Sequence, residues 1–168
     1  MNCILDASSI INLHNADALH LLCLLSDKTF FISPQVVGEC DSVCVSRLMT
    51  LQSDGCLHLL DDSEIPGELY LEYLSEFELG DGETECLAVC EVKSDFAVCT
   101  DDRKARQVAQ TLFGAERVMG SIRVLRWCVE SGSIDCGTAF ELLRGMKASG
   151  GFLPDVERQF FCAQTSHC

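Results

Sequence analysis

Residues 2–6 of the chain read NCILD, a short apolar run that ends in an aspartate, and residues 96–102, FAVCTDD, repeat this pattern. Short apolar runs bounded by polar residues are typical of buried strands. Asp6 and the Asp101-Asp102 pair would then follow the carboxyl ends of two strands. Because ligands of parallel sheets bind beyond those ends, we expect acidic side chains to meet at one edge of a sheet.

The rest of the chain alternates short apolar strands with helical segments. The predicted strands are 2–5, 28–32, 56–60, 96–100 and 117–119. The predicted helices are 10–14, a second piece up to Leu25, 34–52, 66–77, 83–91, 103–113, 122–130, 135–147 and a last one near 155–162. Such alternation predicts the α/β class, with a mostly parallel central sheet covered by helices on both faces.

Length and composition favour one compact domain. The chain has 168 residues, 48% of them hydrophobic, which is enough for one core and too apolar for a disordered chain. We expect the domain to span residues 1–149 and a looser tail to span 150–168. No apolar run approaches the roughly 20 residues of a membrane span, and no secretory signal is readable. We therefore expect a cytoplasmic protein without a membrane partner.

Twelve cysteines are present, and none forms a Cys-x-x-Cys pair. The closest pairs, Cys40/Cys44 and Cys86/Cys90, are spaced i, i+4, which places both sulfurs of a pair on one helix face. This spacing is compatible with a zinc site, but buried thiols commonly serve as small hydrophobic side chains. Because a domain of this size does not need disulfides, we expect reduced, mostly buried thiols.

The net charge is −14, from 26 acidic and 12 basic residues. Such a balance repels a phosphate backbone and by itself disfavours nucleic-acid binding. The charges are unevenly distributed, because half of the cations lie between residues 103 and 126, whereas residues 54–95 carry 13 acids and one cation. The pattern predicts either an acidic flank with a separate basic edge or ordinary solvated helix faces.

Four acidic positions stand out: Asp6, Glu39, Glu83 and the Asp101/Asp102 pair. Glu83 follows a glycine-rich turn at a helix start, where the helix dipole favours an acid. Glu39 lies in the helix after the second strand. If the strands are neighbours, these carboxylates converge. Two unit charges about 5 Å apart repel by roughly 3 kcal/mol at an effective dielectric of 20, so such a cluster requires a cation or raised pKa values.

Oxygen ligands of this kind favour Mg²⁺ or Mn²⁺ over zinc or copper. Carboxylates around open coordination positions are typical of metal-assisted phosphodiester hydrolysis. No G-x-S-x-G motif and no P-loop occurs in the chain. Taken singly, each acid also has an ordinary structural explanation as a helix cap, a turn residue or a solvated helix residue.

At these residues the sequence resembles a PIN domain, the nuclease fold of the VapC toxins. It is most similar to a branch with a D-[ST]-S-x-[IL]-[IL]-x-L start, a G-E-x-E helix start and a D-D-x-x-A-R segment. The corresponding segments here are DASSIINL (6–13), GETE (82–85) and DDRKAR (101–106).

Two further segments carry the resemblance. ISPQVVGE (32–39), which ends in Glu39, resembles the family's V-x-x-E helix, and VMGS (118–121) its V-x-G-[ST] segment. The likeness covers about residues 2–145. Any one motif is weak, but five in the right order are fairly specific.

The resemblance implies a PIN-like three-layer α/β/α sandwich and a Mg²⁺- or Mn²⁺-dependent endoribonuclease, commonly the toxin of a toxin–antitoxin pair and often a dimer. Its implied partners are an RNA substrate, an antitoxin protein and a second copy of the chain. The implied catalytic acids are Asp6, Glu39, Glu83 and Asp101, with Asp6, Glu83 and Asp101 as metal ligands. The implied supporting residues are Ser8, Asp102, Arg106 and Ser121. Because side chains alternate along a strand, we favour Asp101 over Asp102 as the metal-facing aspartate.

One position departs from the family pattern. The branch usually continues G-[ST]-x-G, whereas Arg123 stands where the last glycine belongs. A cation there would alter the rim of the pocket or add a phosphate contact, and Arg106 would contact phosphate or brace an acid. The alternative function is a non-catalytic PIN-like module that binds a protein partner through its acidic flank.

Overall fold

The computed structural model describes residues 1–162 and is built on one five-stranded sheet. Its strands are β1 (Asn2–Leu5), β2 (Thr29–Ile32), β3 (Leu57–Leu59), β4 (Phe96–Cys99) and β5 (Val118–Met119). They lie in the order β3-β2-β1-β4-β5, and every pairing is parallel. The predicted α/β class and parallel sheet are confirmed. The neighbouring strands β1 and β4 are almost fully buried, as is typical of parallel strands covered on both faces.

Helices flank the sheet in a three-layer sandwich. They are α1 (Ala7–Asn15), α2 (Pro34–Glu39), α3 (Ser42–Ser53), α4 (Gly67–Phe77), α5 (Asp81–Val92), α6 (Arg103–Phe113), α7 (Ser121–Glu130), α8 (Cys136–Ala148) and α9 (Arg158–Cys162). Short 3₁₀ turns occupy Leu19–Leu24, Asp62–Glu64 and Ala115–Arg117. Within residues 1–162, none of the helices combines the length and apolar character that a bilayer crossing requires.

The central strand β1 sets the position of the acidic residues. Leu5 pairs with Cys99, so the residues that follow them, Asp6 and Thr100, leave the sheet at the same edge. Cys3, Ile4 and Leu5 are fully buried in the core. A strand covered on both faces has a fixed depth and register, so the first polar residue after it has a fixed position too.

The predicted helix over 34–52 is wrong, because the chain forms two helices there. Residues 40 and 41 interrupt it, and Asp41 accepts hydrogen bonds from the amides of Val43 at 2.9 Å and Cys44 at 2.8 Å. A side chain that binds the backbone amides of the next turn starts a new helix, so one continuous helix does not pass through its position. Glu39 is therefore the last residue of α2 rather than a residue inside a long helix.

The start of α1 also differs from the prediction. The sequence pattern favours Ser8 or Ser9 as the cap of this helix, whereas the cap is Asp6 and the helix begins at Ala7. The strand therefore passes directly into the helix, and the acidic residue itself makes the turn.

Four cysteines correct the expectation of reduced thiols, because the structure contains the disulfides Cys23–Cys56 and Cys136–Cys162. The other cysteines of residues 1–162 carry free thiols, all buried except the half-buried Cys40. They serve as small core residues, as the apolar interpretation of their spacing expects.

The predicted tail begins at residue 150, and its part up to residue 162 packs onto the domain. Leu153 and Phe161 are buried in the core, and α9 packs against α8 and α7. Residues 163–168 of the predicted tail lie outside the described residues. The division of the chain at residue 149 stays a prediction.

Candidate active site

Asp6 lies at the carboxyl end of the central strand. Its amide donates a hydrogen bond to the Cys99 carbonyl at 2.9 Å, which extends the β1–β4 ladder by one residue. Its side chain accepts a hydrogen bond from the Ser8 amide and caps α1. Asp6 is 1% exposed, so its carboxylate is almost fully withdrawn from water.

The two carboxylate oxygens of Asp6 have unequal surroundings. Oδ2 accepts hydrogen bonds from Ser8 Oγ at 2.5 Å and from Thr100 Oγ1 at 2.9 Å. Oδ1 is buried and has no hydrogen-bond partner among residues 1–162. Burial raises the pKa of the Asp6 carboxyl, and the hydrogen bonds from Ser8 and Thr100 oppose that rise. Because a buried oxygen without a partner is costly, Oδ1 is suited to bind an additional electropositive group.

Ser8 connects the end of β1 to the end of β4. Its Oγ donates to Asp6 and accepts hydrogen bonds from the Asp101 amide at 2.9 Å and the Asp102 amide at 3.2 Å. Thr100 Oγ1 accepts a further hydrogen bond from the Asp102 amide at 3.1 Å. The two hydroxyls therefore fix the backbone of the aspartate pair relative to Asp6.

Asp101 is held by two other elements. Asn12 of α1 donates from Nδ2 to Asp101 Oδ2 at 2.8 Å, and the Ser121 amide of α7 donates to Oδ1 at 3.0 Å. Both oxygens of Asp101 thus accept hydrogen bonds from the protein. The hydroxyl of Ser121 itself is buried and has no partner within residues 1–162.

The glycine before Ser121 lets Asp101 approach α7. A Cβ atom on Gly120 would overlap Asp101 Oδ1 and would lie 2.7 Å from an Arg106 guanidinium nitrogen. Real Cβ contacts do not approach so closely, so the glycine of the V-x-G-[ST] segment provides space for an acid and a cation together.

Asp102 has a different environment. Its Oδ1 accepts a hydrogen bond from the Ala105 amide at 2.8 Å and caps α6. Burial raises the pKa of Glu83, and the charges of Asp6, Asp102 and Glu39 add to the rise. Asp102 is therefore the member of the pair whose charge acts on Glu83, whereas Asp101 accepts hydrogen bonds from α1 and α7.

The glutamates both contact the turn that opens α5. Glu83 Oε2 accepts a hydrogen bond from the Gly80 amide at 2.9 Å, and Glu39 Oε1 accepts one from the Gly82 amide at 2.8 Å. Burial is the main cause that raises the pKa of each carboxyl, and the charge of Asp6 adds to the rise in both. A Cβ on Gly82 would lie 2.8 Å from Glu39 Oε1, so this glycine also admits a carboxylate.

The predicted site residues therefore interact, but they do not form a ready-made metal site. Within residues 1–162, no three carboxylate, imidazole or thiol groups lie close enough together to hold a metal ion. The reason is that Glu39 and Glu83 are turned towards backbone amides and Asp101 towards α1 and α7. The roles of Asp6, Glu39, Glu83 and Asp101 as catalytic acids stay predictions, as does the choice of Asp101 over Asp102.

Two polar residues of the network are not singled out by sequence reasoning. The apolar pattern places Thr100 inside a strand and gives it no separate role. Its position directly before two aspartates at a strand end is the signal that could have indicated a hydrogen-bonding role in the site. Asn12 is buried and lies one helical turn after Ser8, a spacing that places both on the same face of α1.

This arrangement of acids at the carboxyl edge of a parallel sheet agrees with a comparison to family models. The model DUF3368, described as a PIN domain, matches residues 2–166, nearly the whole chain. The chain belongs to the PIN-domain family. PIN domains are generally nucleases that act on nucleic acids, and they usually use divalent metal ions. The comparison with curated proteins and that with solved structures gave no significant match.

Proposed function

We propose that this PIN domain is a Mg²⁺- or Mn²⁺-dependent endoribonuclease whose central group is the Asp6 carboxylate. The observation that carries the proposal is the buried, unpartnered Oδ1 of Asp6 at the end of the central strand. Burial, and after it the charge of Asp6, raises the pKa values of Glu39 and Glu83, so these two carboxylates lie near Asp6 and supply further oxygens.

The residues fit a hard divalent cation. The candidate donors are carboxylate oxygens, which suit Mg²⁺ or Mn²⁺, and their mutual repulsion would be relieved by positive charge. Asp6, Glu83 and one of Asp101 and Asp102 would hold the ion. When bound, a divalent ion supplies a water of lowered pKa and stabilises negative charge on a phosphodiester.

The surrounding residues have supporting tasks. Ser8 and Thr100 orient Asp6 through its Oδ2 and leave Oδ1 free. Asn12 and the Ser121 amide hold Asp101 in place. Arg106, whose guanidinium lies beside Asp101 at Gly120, is placed to contact a substrate phosphate.

Cleavage of RNA tests this proposal. Purified protein with Mn²⁺ should cut a single-stranded or structured RNA, whereas EDTA or the substitution Asp6→Asn should abolish the cut. Asp54→Asn, an exposed aspartate at the end of α3, is the matched control and should retain full activity. Equal residual activity in the wild-type and Asp6→Asn preparations would identify a contaminant and contradict the proposal.

The finer proposal is that the activity makes the protein a toxin. Expression of the wild type in a bacterial host should then arrest growth, and Asp6→Asn should not. A host that grows equally well with both proteins, while both are present at equal levels, would contradict the toxin role and leave the nuclease assay as a separate result.

The second candidate, a non-catalytic interaction module, is favoured by the absence of a ready-made three-ligand group in residues 1–162. Thermal melting distinguishes the two. At about 100 times its dissociation constant, Mn²⁺ should stabilise a real site by roughly 2.7 kcal/mol. Asp6→Asn should lose this stabilisation and Asp54→Asn should keep it. A wild-type melting temperature that does not respond to Mn²⁺ favours the module.

A further inference from the structure

A cavity of about 870 Å³ opens beside Asp101. Its walls come from the start of α6, from β5 and α7, and from the C-terminal segment around Phe152 and Phe160. The volume lies within the range of pockets that bind small organic ligands. Because Asp101 belongs to both, the cavity adjoins the proposed active site.

The cavity concentrates positive charge in a strongly acidic chain. Among residues 1–162, its basic lining residues are Lys28, Arg103, Arg106 and Arg123, against the two acids Asp101 and Glu116. The chain as a whole has 12 cations against 26 acids. Neither Arg103 nor Arg106 forms a salt bridge with another described residue. Lys28 pairs with Asp27, and Arg123 lies 4.0 Å from Glu130, so Arg103 and Arg106 are the cations best placed to attract an anionic ligand.

Aromatic side chains lie in the same cavity. Phe152 is 100% exposed, although a side chain of this size normally packs against other residues. Trp127 forms part of the wall, with Lys28 Nζ 4.9 Å and Arg123 Cζ 5.7 Å from its ring centroid. The indole therefore holds two of the four cations against the cavity wall through cation–π contacts.

Cations together with one fully exposed aromatic ring, Phe152, match one ligand chemistry. A nucleotide combines an anionic phosphate with a flat base, and bases stack on aromatic side chains with little regard to sequence. A carboxylate-rich peptide would satisfy the arginines and leave Phe152 without a partner.

We propose that this cavity binds a nucleotide, with its phosphate at Arg103 and Arg106 and its base against Phe152 beside Trp127. The inference rests on the proposed function in one respect, since we take the nucleotide to be one unit of the RNA strand that crosses the active site next to Asp101. A free nucleotide has the same chemistry, and the test below separates the two sources.

Trp127 is the sole tryptophan of the chain and lies in the cavity, so its fluorescence reports directly on binding. The titration uses full-length protein in EDTA, which prevents metal-dependent cleavage, with excitation at 295 nm to avoid absorption by bases. The probes are tetrauridylate, tetraadenylate, AMP and UMP. Ribose 5-phosphate and a hexaglutamate peptide are the controls without a base.

We expect a saturable change of fluorescence with the oligonucleotides and clearly weaker binding of ribose 5-phosphate. Affinity at least tenfold higher for a tetranucleotide than for the mononucleotides identifies an RNA strand as the ligand. Equal affinities identify a free nucleotide. Absence of any saturable change, or a hexaglutamate peptide that binds as tightly as the nucleotides, overturns the proposal.

Three variants separate the contributions to binding. Phe152→Ala should weaken binding by about tenfold, because it removes base stacking, and it should not unfold the protein, since the ring is exposed. Arg103→Gln combined with Arg106→Gln should weaken binding and lower the slope of log affinity against log salt by about 1 for each phosphate that is no longer neutralised. Arg144→Gln, an exposed arginine of α8 paired with Glu141, is the matched control. Equal affinities in all three variants would contradict the assigned contacts.

Failure of the cavity proposal and failure of the nuclease proposal can be distinguished. Binding that persists in EDTA, in a protein that fails to cleave RNA with Mn²⁺, supports the nucleotide cavity while the nuclease proposal fails. Cleavage that persists in Phe152→Ala and in the double arginine variant, without any binding signal in the wild type, supports the nuclease and overturns the cavity.

Discussion

At Asp6, the needs of function and of stability conflict. The carboxylate is buried and its pKa is raised by that burial, while its charge also raises the pKa values of Glu39 and Glu83. A folded-state pKa above the unfolded value means that the native state favours the neutral form. The stability that this preference provides is complete below the unfolded pKa and is lost as the pH rises through the folded pKa. Ionisation of the Asp6 carboxyl therefore opposes folding.

The substitution Asp6→Asn should stabilise the protein in EDTA at pH 7, by roughly 0.5–2 kcal/mol. Asparagine keeps an oxygen that can accept from Ser8 and Thr100 and is as good a helix cap as aspartate, but it carries no charge. Urea denaturation measures the change. Asp54→Asn, outside the cluster, should leave the unfolding free energy almost unchanged. A clear loss of stability in Asp6→Asn would contradict the inference that ionisation of the Asp6 carboxyl destabilises the fold.

Gly120 is the position where a single methyl group matters. Gly120→Ala should destabilise the fold by about 1–3 kcal/mol, since its Cβ would overlap Asp101 Oδ1 and crowd Arg106. The same substitution should reduce RNA cleavage, because both side chains would be displaced. Gly67→Ala at the start of α4 is the matched control, as no atom lies within 4 Å of its added Cβ. Equal stabilities of the two variants by urea denaturation would contradict this explanation.

At the level of helices and strands, the candidate site is an assembly of helix starts. Asp6 caps α1, Asp102 caps α6, the Gly80 amide before α5 binds Glu83, and the Ser121 amide that opens α7 binds Asp101. Helix N-termini carry partial positive charge, which offsets part of the repulsion among the carboxylates. The raised pKa values of Glu39 and Glu83 come mainly from burial, and the charge of Asp6 adds to both.

Helix α5 is positioned by its contact with α4. Tyr73 of α4 is buried and donates a hydrogen bond from its hydroxyl to Glu91 Oε2 at 3.1 Å. Burial, followed by the hydrogen bond to Glu91, raises the pKa of Tyr73 to about 12 from an ordinary value of 10.0. The neutral tyrosine is therefore favoured in the native state. The stability that it contributes is complete below pH 10 and is lost as the pH rises towards 12.

This contact can be tested with the two tyrosines of the chain. In Tyr70→Phe, the phenolate absorbance of Tyr73 should appear near pH 12, with far-UV circular dichroism as the monitor of folding. In Tyr73→Phe, the unfolding free energy should fall less steeply between pH 10 and pH 12 than in the wild type, because the titrating group is gone. A Tyr70→Phe protein that remains folded and titrates near pH 10 would contradict the buried contact.

For the molecule as a whole, net charge and local charge have separate consequences. The overall excess of acids opposes nucleic acid at long range, whereas the cavity beside Asp101 gathers four cations at one edge. Not every cation of the 103–126 stretch contributes, since Arg117 donates hydrogen bonds to the carbonyls of Phe96 at 2.8 Å and Lys93 at 3.1 Å. That arginine supports the loop before β4 and does not line the cavity.

The disulfides connect segments that the sheet does not connect. Cys23–Cys56 closes 33 residues between the first 3₁₀ turn and the start of β3, and Cys136–Cys162 closes 26 residues between α8 and α9. Closed loops of 33 and 26 residues imply about 3.5 kcal/mol of stabilisation each. A reductant should therefore lower the melting temperature of the oxidised protein. The paired substitution of Cys136 and Cys162 by alanine should remove about half of that response.

Peptide mapping under non-reducing conditions should recover both linked peptide pairs. Cys128→Ala, a buried free thiol, is the control and should retain the full response to reductant. A melting temperature that does not change with reductant, in protein whose cysteine pairs are shown to be linked, would contradict the stabilising role.

The alternation of strands and helices, and the position of acidic residues directly after two strands, could be predicted from the sequence alone. Hydrophobic periodicity, helix-capping residues and apolar runs are local properties of the chain. NCILD and FAVCTDD therefore identified the central sheet and the position of Asp6. Local signals also misjudged some details. The apolar pattern is satisfied by one helix that continues through Cys40 and Asp41. Only the structure shows that α2 ends at Glu39 and that Asp41 caps a second helix, α3.

Contacts between distant segments were decided in three dimensions. The sequence does not show that Asn12 and Ser121 occupy the two oxygens of Asp101, that Asp102 interacts with Glu83, or that Phe152 and Arg123 share a cavity. These contacts join residues 19 to 89 positions apart, and their geometry follows from how the helices pack on the sheet. The physical reason is that hydrogen bonds and charges act over a few ångströms, whereas sequence patterns report on neighbours along the chain.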